Sequence, residues 1–159
     1  MTDALDGARL VAVLVDPSDP GNAGTIVRSA DASGVDAVVI AGGVDIYNGK
    51  AIRASAGSVF HLRLVVATDV DAVLDAAGGL TTLGAAASGT SDLDQLAGDG
   101  TLARPTMWLF GSEAHGLPAD VLAAADYTVR VPIYGRAESL NLAAAAALCL
   151  YASARAARR

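Results

Sequence analysis

Residues 130–159 have the sequence RVPIYGRAESLNLAAAAALCLYASARAARR. The alanine-rich run predicts a long closing helix, because alanine has the highest intrinsic helix propensity. A group of polar and turn-forming residues stands directly before that run: Pro132, Gly135, Glu138, Ser139 and Asn141. Ser139 alone could cap the helix by accepting a free backbone N–H. The additional polar residues therefore indicate a site held at the entrance of the last helix.

Upstream of this stretch, short apolar segments rich in β-branched residues alternate with helical segments. The predicted strands are 9–15, 36–43, 62–67, 80–87, 105–110 and 126–131. The predicted helices are 23–33, 48–57, 69–79, 119–125 and 139–159, and Gly34 is expected to end the first of them. Continuous apolar strands that alternate with helices predict an α/β fold, a mostly parallel sheet flanked by helices on both faces. We expect residues 1–159 to form a single domain.

Composition limits the class of protein. The chain has 159 residues, 53% of them hydrophobic, and no apolar stretch of the roughly 20 residues that a membrane span needs. Its single cysteine, Cys149, excludes an intrachain disulfide and is expected to be a small buried hydrophobe. His61 and His115 lie far apart, so no metal site is expected. The N-terminus lacks a secretory layout, and we expect a cytoplasmic protein that does not bind membranes.

The charged residues are unevenly distributed among the residue types. Net charge is −6, whereas nucleic-acid binders usually carry a basic surface. Lys50 is the only lysine, and the other ten cations are arginines, which contact phosphates with a planar fork of donors. Fifteen of the seventeen acids are aspartate, and both glutamates, Glu113 and Glu138, fall in unusual loops. Any contact with phosphates would therefore have to come from local arginines rather than from overall charge.

Four predicted strand ends carry unusual loops, residues 16–24, 83–89, 109–118 and 131–141. Ligands of open parallel sheets bind at the carboxyl ends of the strands, so we expect these loops to meet in one crevice. Glycines in and beside them allow close approach of backbone to a ligand: Gly84, Gly111, Gly116 and Gly135. No loop matches the dinucleotide or P-loop phosphate-binding patterns. The loops therefore predict a site for a nucleoside-like ligand held mainly by backbone.

Three segments, DPGNAGTIVRSADASG, LFGSEAHGLP and VRVPIYGRAESLNLAAAAAL, resemble in order and spacing the three motifs of the SpoU branch of the SPOUT RNA methyltransferases. The matching positions are Asn22, Gly24 and Arg28; Gly111, Glu113 and Gly116; and Pro132, Gly135, Ser139, Leu140 and Asn141. The resemblance extends from about residue 9 to about residue 156. Three ordered motifs are far more specific than any single glycine loop.

The resemblance implies a fold, a cosubstrate and a reaction. The fold is a SPOUT-type α/β knot with a C-terminal trefoil knot, a rare exception to unknotted topology. The methyl donor is S-adenosylmethionine, and the product is a 2′-O-methylated ribose in ribosomal or transfer RNA. Members act as homodimers with their pockets near the interface, and Arg28 could act across it.

The resemblance also implies roles for particular residues. The donor-binding positions are Leu83, Gly84, Gly111, Val131, Ile133 and Leu140, and the polar catalytic set is Asn22, Arg28, Glu113, Ser139 and Asn141. A cation beside the ribose oxygen would stabilise the developing alkoxide. We expect Arg28 to supply it and to anchor a phosphate, while the proton leaves to a phosphate oxygen or to water.

Simpler structural roles stand beside these catalytic ones. Arg28 could be an exposed helix arginine, and Asn22 and Ser139 could be helix N-caps. Glu113 could shape its loop by accepting backbone hydrogen bonds. His115 occupies a position that varies in the family and is expected to be incidental.

Two departures from the family bear on activity. The ribosomal-RNA enzymes of the family carry an N-terminal RNA-binding domain, and few residues precede the first predicted strand here. The acidic net charge weakens attraction to RNA. A catalytically inactive module that binds S-adenosylmethionine or RNA is therefore the alternative to an active enzyme. The complete polar set favours the enzyme.

Overall fold

The structure is a computed structural model that describes residues 5–158. Its strands are β1 (Leu10–Val15), β2 (Ala37–Ala41), β3 (Arg63–Ala67), β4 (Thr81–Ala85), β5 (Ser91–Asp92), β6 (Thr106–Phe110) and β7 (Tyr127–Arg130). Its helices are α1 (Pro20–Ser33), α2 (Gly49–Ser55), α3 (Val70–Asp75), α4 (Leu93–Gly98), α5 (Ala119–Ala124) and α6 (Leu142–Ala156). Two 3₁₀ turns lie at Ser58–Phe60 and Thr101–Ala103.

The strands form one sheet in the order β3-β2-β1-β6-β4-β7-β5, and every strand pair in it is parallel. The chain adds β2 and β3 on one side of β1 and then crosses to the other side. At such a switch point, the loops that follow neighbouring strands leave a crevice at the carboxyl edge of the sheet. Here the neighbours are β1 and β6, so the loops after these two strands meet at that edge.

Helices cover both faces of the sheet, as the alternation of segments predicts. One core layer joins the sheet to α1, α2, α4 and α6, with Ala23, Ala51, Leu93 and Cys149 among its buried residues. The other layer joins the sheet to α3 and α5 through Val73 and Val121. The α/β fold class is confirmed. The threading of the last helix through a loop stays a prediction.

Helix α1 begins earlier than expected. Residues 16–22 look like a proline-rich turn in the sequence, but α1 starts at Pro20 and Asp19 is its N-cap, accepting from Gly21 N and Asn22 N. Proline is well suited to the first helical position because its N–H is not needed there. Asn22 therefore lies inside the first turn, and the alternative in which it caps the helix is wrong. Gly34 ends α1 with φ of 78°, as predicted.

The last helix corrects a second capping expectation. Helix α6 begins at Leu142, and Asn141 caps it by accepting from Ala143 N at 2.9 Å and Ala144 N at 3.3 Å. Ser139 lies outside the helix and does not cap it. Strand β5 and helix α4 were not predicted from the sequence. A two-residue strand carries too little periodicity to be recognised.

Gly24 permits the close contact between α1 and α2. A Cβ at this position would lie 2.3 Å from the Ala51 carbonyl oxygen and 2.8 Å from Ala54 Cβ. Neither neighbour is the end of a flexible side chain, so a larger residue would force the two helices apart. This glycine of the first motif therefore has a packing role.

A buried hydrogen bond fastens α6 to the centre of the sheet. Trp108 Nε1 on β6 donates to Ser153 Oγ at 2.9 Å, and both residues are buried. Cys149 lies one turn earlier on α6, and burial raises the pKa of its thiol to about 12. The expectation of a buried hydrophobic cysteine is confirmed. Among residues 5–158, no helix is long and apolar enough to cross a membrane.

We expect Ser153→Ala to lower the free energy of unfolding by about 1–3 kcal/mol, because the indole N–H of Trp108 would remain buried without an acceptor. Thr106→Val is the matched control. The Thr106 hydroxyl is also buried but has no hydrogen-bond partner within the described residues, so its loss should be neutral or stabilising. Urea unfolding followed by Trp108 fluorescence compares the variants. Equal losses from both would contradict this account of the bond.

Candidate active site

A cavity of about 400 Å³ opens at the carboxyl edge of the sheet. It lies beyond the ends of β4, β6 and β7 and against the start of α6. Small side chains after β4, Ala85, Ala86 and Ala87, form one wall. Larger apolar side chains form the others: Phe110, Val129, Val131, Ile133, Leu140 and Leu142. An apolar cavity of this size with few polar groups is typical of a small-molecule site.

The polar groups of the cavity gather where three loops meet. Asn22 Nδ2, on the first turn of α1, donates to Glu113 Oε1 in the loop after β6 at 3.0 Å. Asn141 Nδ2, at the start of α6, donates to Asn22 Oδ1 at 3.3 Å. These two bonds join the three sequence motifs. Both helix N-termini that bear them are capped, α1 by Asp19 and α6 by Asn141.

The Glu113 carboxylate accepts four hydrogen bonds. Besides Asn22, its donors are Ser18 N at 3.1 Å, the Ser18 hydroxyl, and Asp19 N at 3.3 Å. Desolvation acts to raise the pKa of Glu113, but the hydrogen bonds from Ser18 and Asn22 outweigh it and lower the pKa to about 2. The group is therefore an anion at neutral pH with its lone pairs already used. It is poorly suited to removing a proton.

Sequence inspection missed two contributors to this network. Ser18 lies immediately before the α1 N-cap and supplies two of the four donors to Glu113. Lys50, at the start of α2, forms an ion pair with Asp19. This contact and a backbone hydrogen bond from Gly21 N both lower the pKa of Asp19. The placement of the only lysine beside the first motif was a possible signal for Lys50. Nothing local to Ser18 marks it.

Most of the residues singled out from the sequence line the cavity: Asn22, Glu113, Val131, Ile133, Ser139, Leu140 and Asn141. Arg28, Leu83, Gly84 and Gly111 do not. Within the described residues, Glu113 is the only charged side chain that lines the cavity. The cavity thus presents negative charge at one end.

The structure accounts for the positions that lie off the cavity wall. Leu83 is completely buried in the core. A Cβ on Gly84 would lie 3.1 Å from Leu122 of α5, so that side chain occupies the space the glycine leaves. A Cβ on Gly111 would lie 2.0 Å from the Gly116 carbonyl carbon, so this glycine lets its own loop close. Any ligand contact at these three positions would involve backbone and stays a prediction.

Arg28 lies away from Asn22 on α1. At about 100° per residue, the six-residue step from Asn22 to Arg28 turns the helix far enough to place Arg28 on another side. Its side chain is exposed. On the same side lies the exposed Ala32, whose carbonyl oxygen accepts from Tyr151 Oη of α6 at 3.4 Å. Arg28 therefore belongs to an outer surface shared by α1 and α6.

The fold and this site define an α/β protein with a cavity of small-molecule size where three loops meet at the switch point of a parallel sheet. A family model, the SpoU rRNA Methylase family, matches residues 9–151. The chain belongs to this family. The resemblance drawn from the three sequence motifs is confirmed.

Individual relatives agree with this placement. The chain is 38% identical over 152 residues to the 23S rRNA (guanosine(2553)-2'-O)-methyltransferase RlmP of Bacillus subtilis (strain 168), covering 94% of this chain and 59% of that protein. The crystal structure of the SpoU methyltransferase AviRb from Streptomyces viridochromogenes in complex with the cofactor AdoMet matches with a TM-score of 0.83 and 36% identity. The match covers 92% of this chain and 59% of that one.

A third match differs in coverage. A structure described as giving insights into the 2-OH methylation of C/U34 on tRNA matches with a TM-score of 0.77 and 31% identity, over 94% of each chain. Against the curated Bacillus relative, by contrast, this chain spans less than two thirds of the length. Within residues 5–158, no group of three or more histidine, cysteine or acidic residues could hold a metal ion.

We expect the Glu113 contacts to weaken in acid. The pKa of Glu113 is depressed in the folded chain, so its stabilising contribution is complete above its ordinary value of 4.5 and is lost as the pH falls toward 2. The difference in urea midpoint between wild type and Glu113→Gln should therefore shrink across that range. The other carboxylates are common to both proteins and cancel. A difference that stays constant from pH 6 to about pH 2 would show that the carboxylate is not held in this way.

Proposed function

We propose that this chain is an S-adenosylmethionine-dependent methyltransferase that modifies a ribose 2′-hydroxyl in ribosomal or transfer RNA. One observation carries the proposal: the hydrogen bonds that join Asn22, Glu113 and Asn141 bring all three family motifs to one cavity. The named activities of the RlmP and AviRb relatives support it. The match to the tRNA-methylation structure, over 94% of both chains, supports including transfer RNA among the substrates.

The residues of the cavity fit the proposed donor. Its apolar walls, including Val131, Ile133 and Leu140, suit a flat adenine ring. Its one charged side chain, Glu113, is anionic and suits a ligand with positively charged sulfonium and ammonium groups. When bound, S-adenosylmethionine supplies a methyl group on positively charged sulfur. No metal is needed for such a transfer.

In this proposal the chain's own residues orient the acceptor and stabilise charge. Asn22 and Asn141 present amide groups at the polar end of the cavity, where they can hold a ribose hydroxyl. Ser139 lines the same end and offers a further hydroxyl. Glu113 holds Asn22 in place and does not remove the proton, because its oxygens already accept four bonds. The proton leaves to an RNA phosphate oxygen or to water.

We propose that Arg28 acts across a homodimer. It lies on the α1–α6 face, the exposed surface formed by Arg28, Ala32, Leu148 and Tyr151. Leu148 is 49% exposed and Tyr151 is 45% exposed, which makes the face apolar around the arginine. A two-fold interface places the same patch of both subunits in contact. Pairing through the α1–α6 face would bring each Arg28 toward the partner, whose cavity has no basic side chain among the described residues that line it.

The inactive alternative predicts donor or RNA binding without transfer. A module that only binds has no need for the whole polar network at the acceptor end of the cavity. Among the described residues that line the cavity none is basic, so an active enzyme needs Arg28 to reach the site and an inactive module does not. The position of Arg28 in the assembly therefore separates the two functions.

We expect calorimetry to show micromolar binding of S-adenosylmethionine, and Ala145→Phe to weaken it at least tenfold. Ala145 lines the cavity on α6, so a phenyl ring there would occupy the donor's space. Ala144→Phe is the matched control, because Ala144 is exposed on the same turn. Absence of binding by the wild type would contradict the proposed function. Equal affinities of the two variants would place the donor elsewhere.

We expect Arg28→Ala to bind the donor normally and to lose at least about tenfold in methylation of total RNA, equivalent to 1.36 kcal/mol of transition-state stabilisation. Arg104→Ala is the control, since it removes the same charge from an exposed position just before β6, at the opposite edge of the sheet. Incorporation of labelled methyl groups measures the rates. Equal rates for the two variants would remove Arg28 from the reaction.

Mixing Arg28→Ala with Ala145→Phe tests whether the arginine acts across the dimer. A mixed dimer has one intact cavity, on the Arg28→Ala chain, which faces the intact arginine of the other chain. Mixing and re-forming the dimers should restore about a quarter of the wild-type activity, because half of the dimers are mixed and one of their two sites is complete. No recovery would show that each Arg28 serves its own cavity.

A further inference from the structure

The contact between Ser18 and Glu113 lies just outside the cavity and has no counterpart in the three motifs. Ser18 is exposed and directly precedes Asp19, the N-cap of α1. Both its backbone N–H and its hydroxyl donate to the same oxygen, Glu113 Oε2. The contact joins residues 95 positions apart in sequence. It is possible because β1 and β6 are neighbours in the sheet.

We propose that Ser18 is a positioning residue that holds Glu113, and through it Asn22, in the geometry needed for methyl transfer. This inference rests on the proposed function. Ser18 does not line the cavity, so it is not placed to contact a donor bound there. Its effect passes through the carboxylate.

The two oxygens of Glu113 have separate partners. Within residues 5–158, the donors to Oε2 from other residues are the N–H and the hydroxyl of Ser18. Oε1 accepts from Asp19 N at 3.3 Å and from Asn22 Nδ2 at 3.0 Å. The Ser18 hydroxyl therefore fixes the rotation of the carboxylate that presents Oε1 to Asn22. Without it, the carboxylate keeps one backbone donor on Oε2 and is free to turn.

The orientation of Asn22 depends on that carboxylate. Its Nδ2 faces Glu113, which only accepts, and its Oδ1 faces Asn141 Nδ2, which only donates. A carboxylate that turned away would leave Nδ2 without its anionic acceptor. Asn141 also caps α6, so the chain of bonds reaches from Ser18 to the last helix. A single hydroxyl at the entrance of α1 thereby orders groups from all three loops.

A second carboxylate lies next to Glu113 and must be kept from repelling it. Asp19 accepts from the first N–H groups of α1 and pairs with Lys50. The positive end of the helix dipole and the Lys50 ammonium both offset the charge of Asp19. Hydrogen bonds from Ser18 and Asn22 likewise keep the pKa of Glu113 at about 2. The loop thus keeps both acids ionised.

The experiment compares Ser18→Ala with Ser18→Thr, which keeps the hydroxyl. Ser29→Ala is the matched control, because the Ser29 hydroxyl on α1 donates to its own helix, at Thr25 O. For each protein we would measure the Glu113 carboxyl pKa by carbon NMR, the donor affinity by calorimetry, and kcat and KM for RNA methylation. Thermal midpoints report any general loss of stability.

We expect Ser18→Ala to raise the pKa of Glu113 and to lower kcat at least fivefold, while donor affinity stays within twofold of wild type. Ser18→Thr and Ser29→Ala should resemble wild type in all three. A Ser18→Ala protein with unchanged kcat and unchanged Glu113 pKa would overturn the inference. So would a lower kcat with an unchanged pKa, since the effect would then not pass through Glu113.

Failure of the proposed function is recognised separately. If the wild type neither binds the donor nor methylates RNA, that function is wrong, whatever Ser18 does. The carboxyl titration then still decides whether Ser18 holds Glu113. An unchanged titration in Ser18→Ala would refute the contact itself, and a raised pKa would establish the contact without a catalytic role.

Discussion

The whole site depends on one constraint, the binding of the Glu113 carboxylate by the entrance of α1. Backbone and side-chain donors from residues 18–22 converge on its two oxygens and hold the loop after β6 against the loop after β1. Charge-assisted hydrogen bonds of this kind are stronger than neutral ones. An anion at a helix N-terminus is further favoured by the helix dipole. The same interaction that joins the loops therefore fixes Glu113 as an anion and Asn22 as its partner.

The different roles of the residues within the site follow from this constraint. A fixed anion and two oriented amides occupy the polar end of the cavity, and apolar side chains surround the rest. The arrangement can bind a cationic, nucleoside-like molecule and align an acceptor beside it. Within the described residues it offers amide donors but no positive charge beside a developing negative one. The arginine on the α1–α6 face completes the chemistry only in an assembly, so catalysis and association are coupled in this proposal.

Much of the fold could be predicted from the sequence because its strands are continuous and apolar. Strand β5 could not, since two residues carry no clear period, and α4 was missed although α3 and α5, of the same length, were predicted. Proline-rich turns and capped helix starts look alike in sequence, so the predicted start of α1 was too late in the chain. The motifs identified Asn22, Glu113 and Asn141 by order and spacing. Ser18 could not be found in this way, because its importance comes from a strand neighbour that is distant in sequence.

The order of the strands has a consequence for how the chain folds. The central strand β1 pairs with β6, and Leu10 lies opposite Thr106. Strands β1 and β6 therefore cannot pair until most of the polypeptide has left the ribosome. Their pairing closes a very long loop, which costs conformational entropy. Until β6 pairs with it, one hydrogen-bonding edge of β1 is unpaired, although β1 is buried in the finished structure. Biogenesis of this protein should thus be slow and dependent on protection of that edge, even though the finished sheet is closely packed.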